Sequence, residues 1–195
     1  MQATMANSAK PPTSSTADAE PLTPAAEALR QAMRRVAGSV AVVTTRWNDA
    51  DHGMTVTAFS SVSLDPPMVL VVINTTASLH DPLVRGDGFC LNILDAAQQD
   101  IAEAFARRGA GHSRFATGNW FRPRIDGKPA PALALEGAQS WVECTVDTVI
   151  TAGTHSIITG RARAASSASA GLPLLYLDGT FGRPAWDTPN RPEPT

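Results

Sequence analysis

Apolar spacing divides the chain into one helical stretch near its start and a series of short extended ones. Leu29, Met33 and Val36 recur at helical intervals behind Thr23-Pro24, a side-chain cap followed by proline in the first helical position, and Gly38 marks a stop. Beyond Gly38 the period changes. Residues 40–45 are rich in β-branched side chains, 48–51 read as a turn, and 54–64 read as one strand closed by Asp65-Pro66-Pro67. Residues 68–73 are an unbroken apolar run, which predicts a strand buried on both faces, and 89–94 form another strand. Asp95 with Gln98 has the form of a capping box; the helix behind it carries Ile101 and Phe105 on one face and ends by Gly109. Residues 109–132 are a long loop, and loops of that length often carry function. Strands follow at 141–150, 156–164 and 174–177, with the Ser/Ala-rich stretch 165–172 as a flexible turn. At least six strands without regular helix alternation exclude a doubly wound parallel sheet. They favour a mainly β fold, an antiparallel barrel with a few peripheral helices.

Composition narrows the function classes. The chain has 195 residues, 43% hydrophobic and 17% charged, enough for one domain with a sizeable core. A formal net charge of −2 creates no field favouring nucleic acid or an anionic membrane, and no apolar run approaches the ~20 residues of a membrane span. Cys90 and Cys144 are too few for a disulfide framework and suit a reducing cytoplasm as buried thiols. The four histidines, His52, His80, His112 and His155, show no metal-ligand spacing, so no metal site is expected. Eight of the fifteen prolines lie at or before Pro24 or at or after Pro184. That pattern predicts disordered tails at 1–22 and 186–195 around one domain at 23–185, and the first segment lacks the apolar core of a signal peptide.

Motifs for several chemistries are missing. There is no nucleophile elbow and no Walker A sequence, and neither Gly86-Asp87-Gly88 nor Gly109-Ala110-Gly111 continues into a dinucleotide fingerprint. Residues 53–67 stand out instead. Six of these fifteen, Thr55, Thr57, Ser60, Ser61, Ser63 and Asp65, are Ser, Thr or Asp in a segment otherwise suited to a core strand. Small residues here let a flat ring approach the backbone, and Ser60, Ser61 and Ser63 can offer hydroxyls to a phosphate. Asn92, between Leu91 and Ile93, needs partners in a core strand; a ligand and a neighbouring backbone both satisfy that need. Arg114-Phe115 reads as an anchor of the long loop, Phe115 packed and Arg114 paired to an acid. Trp47 and Trp186 read as edge packing.

From Leu29 to about Gly182 the chain resembles the short-chain flavin reductase family, the reductase halves of two-component flavin-dependent monooxygenases. The resemblance rests on 29–45, on 53–67, on Asn74 to His80 and on Phe89 to Leu94. Arg114-Phe115 with Trp120, Leu135 to Ala138 and Gly153-Thr154-His155 complete it. It implies an FMN-binding split β-barrel, a homodimer, and NADH- or NADPH-dependent reduction of FMN or FAD for a partner monooxygenase. It further implies that Thr57 and Ala58, with Thr55 beside them, lie along the isoalloxazine. Ser61, Ser63 and Ser78 then lie near the ribityl phosphate, Asn92 faces the flavin, and His155 positions the nicotinamide. Thr75 stands where family members often carry a base, which leaves an arginine from elsewhere, such as Arg85, to meet the phosphate. Hydride transfer needs no protein acid, so His155 is read as a positioning group. Rival readings are another redox enzyme on the same barrel, such as a corrinoid reductase or a pyridoxamine-phosphate-oxidase-like enzyme, and a non-enzymatic flavin- or haem-binding protein.

Overall fold

The computed structural model describes residues 21–109 and 111–185, so most of the tail at 1–22, all of 186–195 and the packing of Trp186 lie outside the described residues. The chain divides into two units, Met1–Met33 and Arg34–Thr195. In the first, helix α1 (Pro24–Met33) starts as its sequence dictates: the Thr23 hydroxyl accepts from Ala26 N at 3.2 Å. Glu27 pairs with Arg30 one turn on. The helix ends before Gly38, because Gly38 and Ser39 form strand β1 (Gly38–Ser39), paired with Tyr176 and Leu175.

The second unit is mainly β. Strands β2 (Ala41–Trp47), β3 (Ala50–Val56), β4 (Phe59–Leu64), β5 (Pro67–Asn74), β6 (Phe89–Ile93), β11 (Ser140–Ala152) and β12 (His155–Ser167) form a seven-stranded sheet in the order β3-β2-β6-β11-β12-β5-β4, antiparallel throughout. Residues 54–64, expected as one strand, are thus two. β3 pairs with β2 at one end of the order and β4 with β5 at the other, so the chain must bend between them, at Thr57 and Ala58. The turn at Asn48-Asp49 takes positive φ at both residues, as a tight hairpin requires. Helix α2 (His80–Arg85), which sequence reading did not register, follows β5. The capping box forms as expected, the Asp95 side chain accepting from Ala97 N, and leads into α3 (Gln99–Ala106).

The long loop carries structure of its own: a 3-10 turn over 111–116 and the short strands β7 (Trp120–Phe121), β8 (Arg124–Ile125), β9 (Lys128–Pro129) and β10 (Ala134–Leu135). Residues 165–167, expected within a turn, extend β12. The chain closes with the hairpin β13 (Leu175–Leu177) and β14 (Thr180–Gly182).

Burial on both faces belongs to β2, not β5. Ala41 and Val43 enter one core with Val71, Ile73, Phe89 and Ile158; Val40 and Val42 enter another with Leu94, Ile101, Phe105 and Leu174. On β5 the alternate residues Met68, Leu70 and Val72 are only half-buried.

 Close approach between layers requires glycine at position 160: a Cβ there would stand 2.5 Å from the Phe89 ring and 2.8 Å from Cys144 Cβ.

The segment 130–135 is clamped onto the sheet by polar side chains from three adjacent strands. The Thr44 hydroxyl donates to Leu133 O at 2.6 Å. Asn92 donates from Nδ2 to Val42 O (3.1 Å) and Leu133 O (3.3 Å), while its Oδ1 accepts from Leu135 N at 2.8 Å. Glu143 Oε1 accepts from Ala132 N at 3.5 Å, and Oε2 has no partner among the described residues. Glu143 is 1% exposed, and burial pushes its carboxyl up to about 7, with the Ala132 N–H, the Cys90 thiol and Arg122 opposing the shift. Between pH 4.5 and 7 the folded chain therefore binds more protons at this site than the unfolded chain, so stability falls as pH rises through that window, by about 3 kcal/mol in all. Glu143→Gln should remove this decline. Urea unfolding of both proteins at several pH values from 4.5 to 8 checks it, and parallel pH profiles would show that Glu143 ionises without penalty.

Candidate functional site

The 50–64 segment supplies both edge strands of the seven-stranded sheet, so it presents backbone N–H and C=O groups that no outer strand pairs. Thr57 and Ala58, where it bends, are exposed, and Ala58 O accepts from Val72 N at 2.9 Å. Beside the bend lies an open groove of about 510 Å³, lined by Thr55, Thr57, Glu103 of α3, Arg107 just after it, and Tyr176 and Phe181 of the β13–β14 hairpin. The two aromatic rings meet at 5.2 Å in an edge-on arrangement. The groove is wide enough for a planar heteroaromatic ring and has both apolar walls and hydrogen-bonding edges.

The hydroxyls of 53–67 do not act alike. Thr55 Oγ1 donates to Ala102 O at 2.7 Å, tying α3 to β3. Ser63 Oγ donates to Asp65 O and accepts from Asp65 N at 3.0 and 3.1 Å, which closes its own turn. Ser60 donates to the neighbouring Ser61 O. Ser61 is exposed and makes no side-chain hydrogen bond among the described residues. Thr55 and Ser63 thus each have a structural bond, and Thr55 also lines the groove.

Asn92 stands apart from the groove. It is 0% exposed, and both its amide groups face the 130–135 segment and β2, so it does not face the groove. Of the two partners its sequence context allowed, the backbone is the one found, because the strap brings Leu133 O and Leu135 N–H within reach of one side chain. The Arg85 guanidinium lies 5.9 Å from the Trp47 ring centroid and 3.4 Å from Asp81. Trp47, expected at an edge, is half-buried under it.

His155 opens β12 opposite Asn74, half-buried, with Nδ1 2.9 Å from the Thr154 hydroxyl. Thr75 bonds Thr154 O through both its N–H and its hydroxyl, at 3.0 and 3.2 Å. His80 Nε2 lies 3.0 Å from the Ser156 hydroxyl, and its Nδ1 lies 3.0 Å from Asp81, which holds that carboxyl below its ordinary pKa. Together these bonds fix the 74–80 segment to the β11–β12 hairpin and set His155 on the rim between them. Ser78, exposed, lies in a different place: a cavity of about 260 Å³ that it shares with His52, His112 and Arg114. The predicted residues are thus dispersed: Thr55, Thr57 and Ala58 lie at the bend and its groove, Ser60, Ser61 and Ser63 on β4, His155 at the start of β12, Ser78 by the far end of β3, and Asn92 beneath the 130–135 segment.

Several residues with chemistry escaped the sequence reading. Tyr176 and Phe181 were placed in no site. His52 and His112 were discounted because no metal spacing joins them, yet their rings stand 5.9 Å apart. Arg114 was expected to meet an acid; it bonds instead to the carbonyls of Gly53, Gly111 and Arg107. The position of His52 directly before Gly53, in the segment already singled out, was the one signal available.

Residues 33–185 match the family described as a flavin reductase like domain. An NADH:FMN oxidoreductase from Rhodococcus qingshengii is 36% identical over 159 residues, covering 80% of each chain. The reductase component of the FADH(2)-dependent resorcinol hydroxylase from Rhizobium sp. (strain MTP-10005) is 32% identical, covering 78% of this chain and 83% of that one. Among solved structures, the NADH:FAD oxidoreductase of Streptomyces globisporus in complex with NAD and FAD fragments superposes with a TM-score of 0.74 at 30% identity. The match covers 87% of this chain and 99% of that one. With more than three quarters of its length matched in both sequence and fold, the chain belongs to the flavin reductase-like family.

Proposed function

We propose that this protein is an NADH-dependent flavin reductase that supplies reduced FMN or FAD to a separate monooxygenase component. The observation that carries the reading is the bend at Thr57-Ala58. Two edge strands meet there beside an open groove, within the residues that match the family. Relatives named for NADH, rather than NADPH, support the choice of donor. Family membership favours this reading over a corrinoid reductase, a pyridoxamine-phosphate-oxidase-like enzyme or a haem-binding protein. The active domain runs from about residue 23 to 185. A split β-barrel fits a curled sheet whose first and last strands are joined by two residues. A cytoplasmic setting suits two buried, unpaired thiols, whose pKa values burial raises, to about 12 for Cys144. Among the described residues no helix is long and apolar enough to cross a membrane.

The residues present fit a flavin. Small side chains at 57–58 let the ring reach the strand edges, the groove has room for it, and Ser60 and Ser61 remain accessible. Bound flavin supplies the chemistry, accepting a hydride from NADH. The chain's part is to hold the two rings face to face at near-attack distance and to leave the site open enough for release. His155 is a positioning residue in this scheme: Thr154 orients its ring, and the ring contacts the nicotinamide or its carboxamide. A homodimer is consistent with the half-buried Met68, Leu70 and Val72 and with Val62 and Leu64, 50% and 90% exposed, on the neighbouring strand.

Purified protein mixed with NADH should consume it only when FMN or FAD is added. Flavin binding without NADH consumption would replace the enzyme with a binding protein. His155→Ala should lower kcat/KM for NADH by about 10- to 100-fold, or about 1.4–2.7 kcal/mol, with the flavin Kd near wild type, and His155→Gln should recover part of the loss. Stopped-flow flavin reduction on folded variants checks this; an unchanged rate at subsaturating NADH removes His155 from the site. Light scattering at micromolar concentration should report a dimer, and a fully active monomer would rule one out.

A further inference from the structure

Ser78 opens into a cavity that the flavin groove does not include. It measures about 260 Å³ and is lined by Asp51, His52 and Gly53 of β3, by Ser78 and Leu79, and by Gly109, Gly111, His112 and Arg114 from the segment after α3. One water needs only about 10–15 Å³, so a phosphate with attendant waters fits.

Its chemistry is that of an anion site. Arg114 is 8% exposed and has no carboxylate partner among the described residues. Its Nε, Nη1 and Nη2 each donate to one carbonyl oxygen, those of Gly111, Gly53 and Arg107. A guanidinium has five N–H donors, so two remain. The ring of Phe105 lies beneath it at 5.7 Å, and burial lowers its pKa from the ordinary value. A cation buried this way without a counter-charge is costly, and an anion beside it offsets that cost. His52 Nε2 is buried with no hydrogen-bond partner, and the His112 ring stands 5.9 Å from that of His52. Ser78 is exposed and makes no side-chain hydrogen bond among the described residues. Asp51 is the one carboxylate in the lining, and it is already held by Arg122 at 2.6 Å and Arg46 at 3.6 Å. It does not cancel the charge of Arg114.

Among the described residues, the other places expected to meet a phosphate offer no cation without a carboxylate partner. The base usual after Asn74 is Thr75, Arg85 is engaged by Trp47 and Asp81, and Arg161, on the strand next to β5, is paired with Asp147 at 2.6 Å. We propose that the cavity between β3, the 75–79 segment and the 111–116 turn is a phosphate subsite, where Arg114, His52, His112 and Ser78 hold a phosphate group of a nucleotide substrate. The source of that phosphate, flavin or pyridine nucleotide, rests on the reductase reading; the site itself does not.

The test separates the two. Imidazole resonances of the full chain are followed by NMR while inorganic phosphate, and then pyrophosphate, are added. His52 and His112 should shift saturably, while His80 and His155 stay in place. No response at His52 and His112, or an equal drift of all four, overturns the subsite. Affinities are then compared between wild type and the His52→Gln/His112→Ala double variant, after thermal melts confirm that the variant is folded. A roughly 10-fold loss for FMN with riboflavin unchanged assigns the flavin phosphate. A similar rise in KM for NADH with both flavins unchanged assigns the pyridine nucleotide. If neither changes, the cavity is no substrate subsite, even where phosphate binds. Riboflavin-dependent NADH consumption by wild type reports on the reductase reading independently of all these outcomes.

Discussion

The constraint on which the structure depends is the two-residue link between β3 and β4. A seven-stranded antiparallel sheet whose first and last members are consecutive in sequence cannot lie flat, because Thr57 and Ala58 together span only about 7 Å. The sheet must curl enough to bring the end of β3 and the start of β4 within that reach. The curl decides what is interior: Val43, Val71, Ile73, Phe89 and Ile158, from strands dispersed through the order, come to share one core. It also decides where backbone is left unpaired. The strand ends that meet at the link are edges, whose outer backbone groups no strand of the sheet pairs.

The same geometry explains which parts of the fold were legible in the sequence. Local signals were reliable where local physics decides: the Thr23 cap, the Asp95–Gln98 box and the positive-φ turn at Asn48-Asp49 all appear as the residues imply. The break at 57–58 was not legible. Nothing in Met54 to Leu64 forbids one strand, and the break exists only because the flanking halves pair with strands at opposite ends of the order. Burial was misplaced for a related reason. The apolar run 68–73 satisfies the pattern of a doubly buried strand, but the covering layer of α3 and Leu135 falls over β2.

Within the candidate site, residue type proved a better guide than residue role. Hydroxyls cluster in 53–67 as the sequence shows, yet Thr55 anchors α3 and Ser63 closes a turn. Asn92 was recognised as needing partners, and it has them, in a segment more than forty residues later that sequence alone could not bring near. Arg114 was recognised as an anchor, but its partners are carbonyl oxygens rather than an acid. Spacing fixes which side chains share a strand face; it leaves open what stands opposite them.

The strap over β2, β6 and β11 has a consequence for how the molecule breathes. Thr44, Asn92 and Glu143 come from three strands but hold one stretch of chain, and the amide protons of Ala132 and Leu135 are bonded to side chains rather than to a neighbouring strand. Opening the strap at one anchor strands the polar groups of the others over an apolar layer of Cys90, Ala134 and Trp141. The three anchors therefore release together, and hydrogen exchange of the Ala132 and Leu135 amides reports one shared opening event, separate from the global unfolding that exposes the β2 and β6 amides beneath.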